Sequence, residues 1–430
     1  MLRLDASAPG FAAAFAQLVD DRRESHADIA RDVAAIIADV RARGDAALAE
    51  YSARFDRFAP QSDADWRIGL DACREAYDAL TPDLRAALEL AAQRIRAYHA
   101  AQMPENRDYT DETGIRLGAV WQAVDGAGLY VPGGLAAYPS SLLMNAIPAK
   151  VAGVERLVIA TPSPDGAVNP LVLAAAYLAG VDEVWRMGGA QAIAALAYGT
   201  ERIRPVDVIT GPGNAWVAEA KRQLFGVVGI DMVAGPSEIL VIADALNDPV
   251  WIAADLLSQA EHDPAAQAIL ITDDAAFADA VIAAVEAELV LLPKAAIARA
   301  SWDRYGTVIV VDTLDAAPAL ANRLAAEHVE IATDNPQALF AQIRHAGSVF
   351  LGRMTPEAIG DYIAGPNHVL PTGRRARFSS GLSVLDFMKR TSFIAVDGAG
   401  LAAVGPAAIA LANAEGLTAH ARSIEVRLGI

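Results

Sequence analysis

Gln259 and His262 stand three residues apart in the run Leu256-Leu257-Ser258-Gln259-Ala260-Glu261-His262-Asp263-Pro264. Pro264 cannot continue a helix, so the run reads as a helix's last turn. Positions three apart lie on one helix face, and the amide oxygen and the imidazole can then aim at one point. Oxygen and nitrogen donors together suit a metal ion of zinc type. Such a pair is common by chance. Its weight depends on other rare-residue clusters further along the chain.

Three clusters qualify. Glu327-His328 follows a helix over Leu320 to Ala326 and precedes the alternating run Val329 to Thr333. A helix-to-strand junction puts both side chains at a sheet end, where α/β ligand sites form, and a carboxylate beside an imidazole supplies two acid/base groups. A solvated pair at a helix terminus is the bland alternative. Gly360-Asp361-Tyr362 and Gly365-Pro366-Asn367-His368 offer Asp361 as a metal ligand and His368 as a polar site residue, or else a helical Asp and an Asn-His turn. Glu415-Gly416-Leu417-Thr418-Ala419-His420 closes a helix at Gly416. Its loop could bring Glu415 and His420 to one site, or the segment is simply a polar tail. The chain has 7 histidines; His26, His99 and His345, in helical runs with charged neighbours, read as surface residues.

Glycine-rich turns add a second signal. The G-x-G-x-x-G fingerprint is missing. Gly188-Gly189-Ala190-Gln191 and Gly211-Pro212-Gly213-Asn214 each join a strand to a helix start, where free amides can receive a phosphate. Tyr130-Val131-Pro132-Gly133-Gly134 sets an aromatic before a tight turn. Each also serves as an ordinary connector.

The elements that must hold these residues follow from patterning. With 430 residues, 54% of them hydrophobic, the chain suits two or three domains. Residues 27–58 and 72–101 read as amphipathic helices. From Gly126 onward, β-branched strands alternate with helices: strands at Leu157 to Thr161, Glu183 to Met187, Val206 to Thr210, Ile239 to Asp244, Ala268 to Thr272, Thr307 to Val311 and Val349 to Leu351. That alternation predicts parallel α/β sheets. The stretches from Leu157 and from Leu240 share one order of elements, which predicts an internal duplication. A last helix near 405–414 leads to a tail, Glu415 to Ile430, with few local apolar partners and therefore a candidate for packing on a second subunit.

The net charge of −18 disfavours nucleic acid as a partner. The single cysteine, Cys73, excludes disulfide scaffolds within the chain and reads as a core residue. Met1-Leu2-Arg3-Leu4-Asp5 lacks the apolar run of a secretory signal, and no apolar segment approaches the ~20 residues of a membrane span. A soluble cytoplasmic protein without a membrane partner is expected.

Taken together, the segments resemble the histidinol dehydrogenase family. The resemblance rests on Tyr130-Val131-Pro132-Gly133-Gly134, Tyr138-Pro139-Ser140-Ser141 with Met144 to Lys150, Gly211-Pro212-Gly213-Asn214 and Ala234-Gly235-Pro236-Ser237-Glu238. It continues through Ser258-Gln259-Ala260-Glu261-His262, Glu327-His328, Asn367 to Thr372, Phe378 to Val384 and Glu415 to His420. Pro366 and Arg374-Arg375 depart from the family's usual residues without touching a ligand position.

The resemblance implies one Zn2+ per subunit on Gln259, His262, Asp361 and His420. It implies substrate contacts from Ser237, Gln259, His262, Glu327, His328, Asp361, Glu415 and His420, and NAD contacts from Tyr130, Gln191 and Asn214. Four ligands plus two substrate atoms make a six-coordinate ion, above zinc's usual four, which the oxygen donors Gln259 and Asp361 make tolerable. It implies two incomplete Rossmann-like domains with smaller helical terminal segments in an intertwined homodimer. The expected division is 1–26; 27–129 plus 236–380 with most metal and catalytic residues; 130–235 with cofactor contacts; and 381–430 completing the partner's site. The implied reaction is oxidation of L-histidinol to L-histidine through a bound aldehyde with two NAD+, with catalytic Glu327 and His328. Rival readings are a zinc- and NAD-dependent dehydrogenase of another small alcohol, such as sulfopropanediol, and a zinc hydrolase with Glu327 as base.

Overall fold

The computed structural model describes residues 1–21, 27–133, 138–233 and 235–430. His26 and Gly134 lie outside the described residues, as does Ala234.

Two six-stranded sheets organise the chain. The first runs in the order Leu2–Asp5, Thr307–Val310, Gln267–Thr272, Glu238–Ala243, His328–Ala332, Ser348–Leu351, all parallel. The second runs Arg67–Ile68, Glu183–Arg186, Arg156–Thr161, Gly126–Tyr130, Val208–Thr210, Gly229–Ile230, parallel except at the first pair. In each, the earliest strand of the repeated unit is central. The next two strands in the chain go to one side and the last two to the other. The two sheets thus repeat one topology, with one N-terminal edge strand added to each, but the equivalent starts are Gly126 and Glu238: the stretch from Leu157 that the sequence sets beside Leu240 begins at its unit's second strand.

The central strands are covered on both faces, so they read as unbroken apolar runs. In Glu238–Ala243, Ile239 and Val241 face Leu256, Phe277 and Trp302, while Leu240 and Ile242 face Phe15, Ile309 and Ile331. The helix Pro249–Ala260 starts where Asp248 accepts the Val250 amide at 2.9 Å with proline in the first turn. It ends at Glu261, just before Pro264.

Several expectations are corrected. The helix over 27–58 breaks at Gly44, whose φ is 53°, into Ala27–Arg43 and Asp45–Tyr51 followed by a π-turn, Ser52–Asp56. The helix over 72–101 is two, Leu70–Asp78 and Pro82–Ala100, because Thr81 caps the second with Pro82 at its start. The final tail is not a loop but a helix, Thr418–Leu428, packed on Gly398–Ala414. Helices between 27 and 100 pack on the second sheet through Val33, Ile36, Leu48, Leu88 and Ile95, whereas Leu2–Asp5 joins the first. A third sheet, Met388–Ala395, Arg116–Ala123, Arg107–Thr110, is antiparallel and carries no counterpart in the sequence reading.

Cys73 is buried as expected. His99 is not on the surface: it is fully buried, its Nδ1 2.8 Å from the Ile95 carbonyl oxygen. It extends the stripe Leu88, Ala92, Ile95, spaced by three and four on one helix face. His345 sits in a connector rather than a helix and is half-buried. Among the described residues no helix is long and apolar enough to cross a membrane.

Candidate active site

The helix Ala317–Leu324 is closed by Ala325 in the left-handed conformation, φ 51°, and the chain turns into Glu327 and the strand His328–Ala332. Pairing of His328 with Ile239 puts Glu327 and His328 beside Glu238. One peptide unit on either side of that residue holds both. The Glu238 N–H donates to Glu327 Oε2 at 3.0 Å, and His328 Nδ1 donates to the Glu238 carbonyl oxygen at 3.1 Å. A carbonyl only accepts, so Nδ1 carries the proton and Nε2 is left with its lone pair.

The site lies at the amino ends of these parallel strands, not the carboxyl ends where open α/β sheets usually bind ligands. On this sheet the carboxyl end is closed by Arg353, which pairs with Asp244 at 2.6 Å and Asp334 at 3.1 Å. Helices that follow the strands run back antiparallel to them, so their carboxyl ends also reach the amino edge. That is how Gln259 and His262, with Gln259 Nε2 3.4 Å from His262 Nδ1, come to the same edge. Ser237 is there too, immediately before Glu238.

The short helix Glu357–Tyr362 adds acids. Glu357 Oε1 lies 3.6 Å from His328 Nε2, and Ser258 Oγ donates to Glu357 Oε2 at 3.0 Å. Asp361 is one turn on, on the same face. His328, Glu357 and Asp361 bring potential ligand atoms within 4.8 Å of one another. His368 Nδ1 donates to the Asp361 carbonyl oxygen at 2.9 Å. Glu330, two residues after His328 on the same strand face, meets Asp255.

Electrostatics mark this as a cation site. Burial pushes the Glu327 carboxyl well above its usual range, and the nearby Glu238, Asp361 and Glu357 charges add to the rise. Burial raises Glu330, Asp255 and Glu357 as well. His328 is pushed down to about 4 by burial; Asp361 opposes this, while His368 and His262 lie close enough to reinforce it. Among the described residues no lysine or arginine pairs with Glu327, Glu330, Glu357 or Asp361. Gln259 Oε1, His328 Nε2 and Glu357 Oε1 are buried without a hydrogen-bond partner. A divalent ion fits this oxygen and nitrogen set, and would supply the missing charge.

Gln259 and His262 thus stand together at this edge, and Asp361 groups with His328 and Glu357. Glu415 and His420 join neither group: both are exposed, on or beside the terminal helices. Glu357 and Glu330 were missed by sequence reasoning. The Glu357–Asp361 spacing of one helical turn and the Glu330–His328 alternation could have found them.

The other implied contacts sit on the second sheet, at its carboxyl ends. Its strand order reverses between Gly126–Tyr130 and Val208–Thr210, the usual place for a dinucleotide. The Tyr130 hydroxyl accepts the Gly189 amide at 3.1 Å, and a Cβ on Gly189 would lie 2.7 Å from Gln191 Oε1. Asn214 Oδ1 caps the helix Ala215–Leu224, accepting from Trp216 at 3.1 Å and Val217 at 3.2 Å. The chain passes from the end of this sheet at Asp231 to Ser237, so the carboxyl edge of one sheet adjoins the amino edge of the other.

Known proteins resemble this chain over nearly its whole length. A histidinol dehydrogenase family model matches residues 19–428. A histidinol dehydrogenase of Zymomonas mobilis subsp. mobilis is 60% identical over 428 residues, covering 100% of this chain and 99% of that protein. One from Ruegeria pomeroyi is 62% identical over 427 residues, covering 99% and 98%. The crystal structure of histidinol dehydrogenase from Elizabethkingia anophelis superposes with a TM-score of 0.94 at 35% identity, covering 100% of this chain and 98% of that one.

Proposed function

We infer the chemistry of this chain from one premise: it belongs to the histidinol dehydrogenase family, and it oxidises histidinol in an NAD-dependent reaction of histidine biosynthesis. The reaction consumes one histidinol, two NAD+ and one water and yields histidine, two NADH and protons. The primary alcohol loses a hydride to give the aldehyde, water adds to it, and the hydrate loses a second hydride.

Glu327 and His328 are the catalytic residues. The His328 Nε2 lone pair takes the alcohol proton as the first hydride leaves, and the hydrate proton in the second oxidation. Such a positioned base is worth roughly 10²–10⁴-fold. Glu327, held through Oε2 by the Glu238 amide, draws a proton from the attacking water. When bound, zinc supplies a fixed positive charge and NAD+ a hydride acceptor. Gln259, His262 and Asp361 would hold the ion with His420, and Ser237, Glu415 and His420 would contact the substrate. Tyr130, Gln191 and Asn214 would hold the dinucleotide.

Glu415 and His420 reach the site from a second copy in a homodimer. The C-terminal segment supports this reading: Ile394 on the strand Met388–Ala395, and Leu411 and Leu417 on or between the last two helices, are 69%, 65% and 45% exposed, more apolar surface than a free segment retains comfortably. The cytoplasm is the compartment that supplies NAD+ for biosynthesis.

The observation that carries the proposal is the grip of Glu238's backbone on both Glu327 and His328 beside buried, cation-seeking donors. The test is absorbance of NADH against histidinol consumed. Two NADH per histidinol are expected; one would leave the aldehyde step unsupported.

A further inference from the structure

We propose that the buried Lys221–Asp231 ion pair is a positioning device for the cofactor, setting the Gly211–Asn214 turn and tying it to the strand of chain that enters the catalytic edge. The proposal rests on the reading that this turn takes NAD+. Lys221 and Asp231 pair side chain to side chain, 3% and 1% exposed. The two charges grip opposite sides of Gly211. The Gly211 amide donates to Asp231 Oδ2 at 2.8 Å, and Lys221 Nζ donates to the Gly211 carbonyl oxygen at 3.0 Å.

Gly211 is a position with little freedom. Its φ is 111°, and a Cβ there would lie 2.1 Å from the Tyr130 carbonyl oxygen. The turn therefore packs directly on the strand that ends in Tyr130, at the point where strand order reverses. Lys221 comes from the helix that this turn opens. Helical side chains lean toward the amino terminus, so Lys221 reaches back to the turn that precedes its own helix. Asp231 follows the strand Gly229–Ile230 and also accepts the Met232 amide at 2.6 Å, at the start of the link to Ser237. One ion pair thus joins the turn, the helix Ala215–Leu224 and the link to the catalytic edge.

Stability alone does not account for the pair. Replacing a buried ion pair with apolar residues of similar shape is often neutral or stabilising. What charges add here is a fixed orientation of one peptide on each side of Gly211. A turn held in its binding-competent form binds without the penalty of selecting that form.

The test uses full-length, zinc-supplemented protein: wild type, Asp231→Asn, and the double variant Lys221→Met/Asp231→Asn, which removes both charges together. Affinities for NAD+ and for histidinol are measured by calorimetry, and amide exchange is followed over residues 211–217. Wild type binds NAD+ and the bound form slows exchange in that segment. If the competent turn falls to about a tenth of the population, NAD+ affinity drops about tenfold, with faster exchange in the free protein and histidinol affinity unchanged. NAD+ affinity equal to wild type in both variants overturns the inference. So does a matching fall in histidinol affinity, which makes the pair an ordinary core contact. Absence of NAD+ binding in wild type removes the functional reading itself, before any variant is compared.

Discussion

His328 hangs from the Glu238 carbonyl oxygen by its Nδ1 proton, at 3.1 Å, and this bond decides which nitrogen does chemistry. Nε2 is left buried, without a hydrogen-bond partner, 3.6 Å from Glu357. An asparagine at this position can present its amide N–H to the same carbonyl but offers no basic nitrogen. In His328→Asn both oxidations should slow by roughly 10²–10⁴-fold, with the melting temperature little changed. Separate turnover measurements with histidinol and with the aldehyde check this. A variant that loses only the aldehyde step would contradict a base used twice.

Glu327 makes the complementary test. Its Oε2 accepts the Glu238 amide, an interaction that a glutamine oxygen can keep. Glu327→Gln should therefore fold normally and retain alcohol oxidation better than aldehyde oxidation, because only the second step needs an activated water. The expected split is on the order of 10²-fold between the steps. Equal loss of both steps would falsify the water-activating role.

Much of this pairing was legible in the sequence, and some was not. Glu327-His328 could be placed at a helix-to-strand junction because Ala-rich helical spacing gives way to the alternation that begins at Val329. The amino end follows from that junction, but the closure of the opposite end by Arg353 and Asp244 depends on residues more than a hundred apart in sequence. The parallel sheets were readable because their strands are apolar on both faces. The antiparallel sheet was not: Arg107–Thr110 is exposed throughout and Met388–Ala395 nearly so, which leaves no apolar alternation. The grouping of Gln259 and His262 with Asp361 is implied by resemblance alone, since pattern cannot bring 259 and 361 together. His99 reads as a surface residue from its charged neighbours, but its place on the apolar stripe Leu88, Ala92, Ile95 decides its burial.

Glu330 gives the protein a pH signature. Burial raises its carboxyl and that of Asp255 beside it, so both bind a proton more tightly folded than unfolded. The sign follows from linkage. Their stabilising contribution is complete below about pH 4, the unfolded carboxyl range, and drains as pH rises through the elevated folded values. Metal-free protein should lose melting temperature steadily from about pH 5 upward, and Glu330→Gln, which never ionises, should flatten that decline. A wild-type melting temperature that rises over the same range would contradict the burial of these acids as neutral groups.

Metal removal should act through the same donors. Gln259 Oε1 is buried without a hydrogen-bond partner, and among the described residues no lysine or arginine pairs with Glu327, Glu357 or Asp361 in place of a cation. A chelator should abolish turnover and zinc should restore it. Gln259→Ala and His262→Ala should each lower bound metal, measured as metal per subunit after desalting, by more than the roughly 10–100-fold in affinity that loss of a group merely supporting a ligand costs. Full activity in metal-free protein would remove the ion from the reaction.

His420 poses the question of where one site ends. It is exposed on Thr418–Leu428, whereas Gln259 and His262 pair at the amino edge of the first sheet and Asp361 lies beside His328. If a second copy supplies His420, each site draws on two chains, and two different inactive variants can rescue each other. His328→Asn damages the site built on its own sheet; His420→Asn damages the site of its partner. In a mixed dimer both lesions then fall on one site and leave the other intact. Random exchange in an equal mixture gives half mixed dimers with half their sites whole, so activity should recover to about a quarter of wild type for a two-fold dimer. If His420 served its own chain instead, every site in every dimer would carry a lesion and mixing would restore nothing. Refolding the two variants together and assaying NADH formation separates these cases, because neither variant regains turnover when refolded alone.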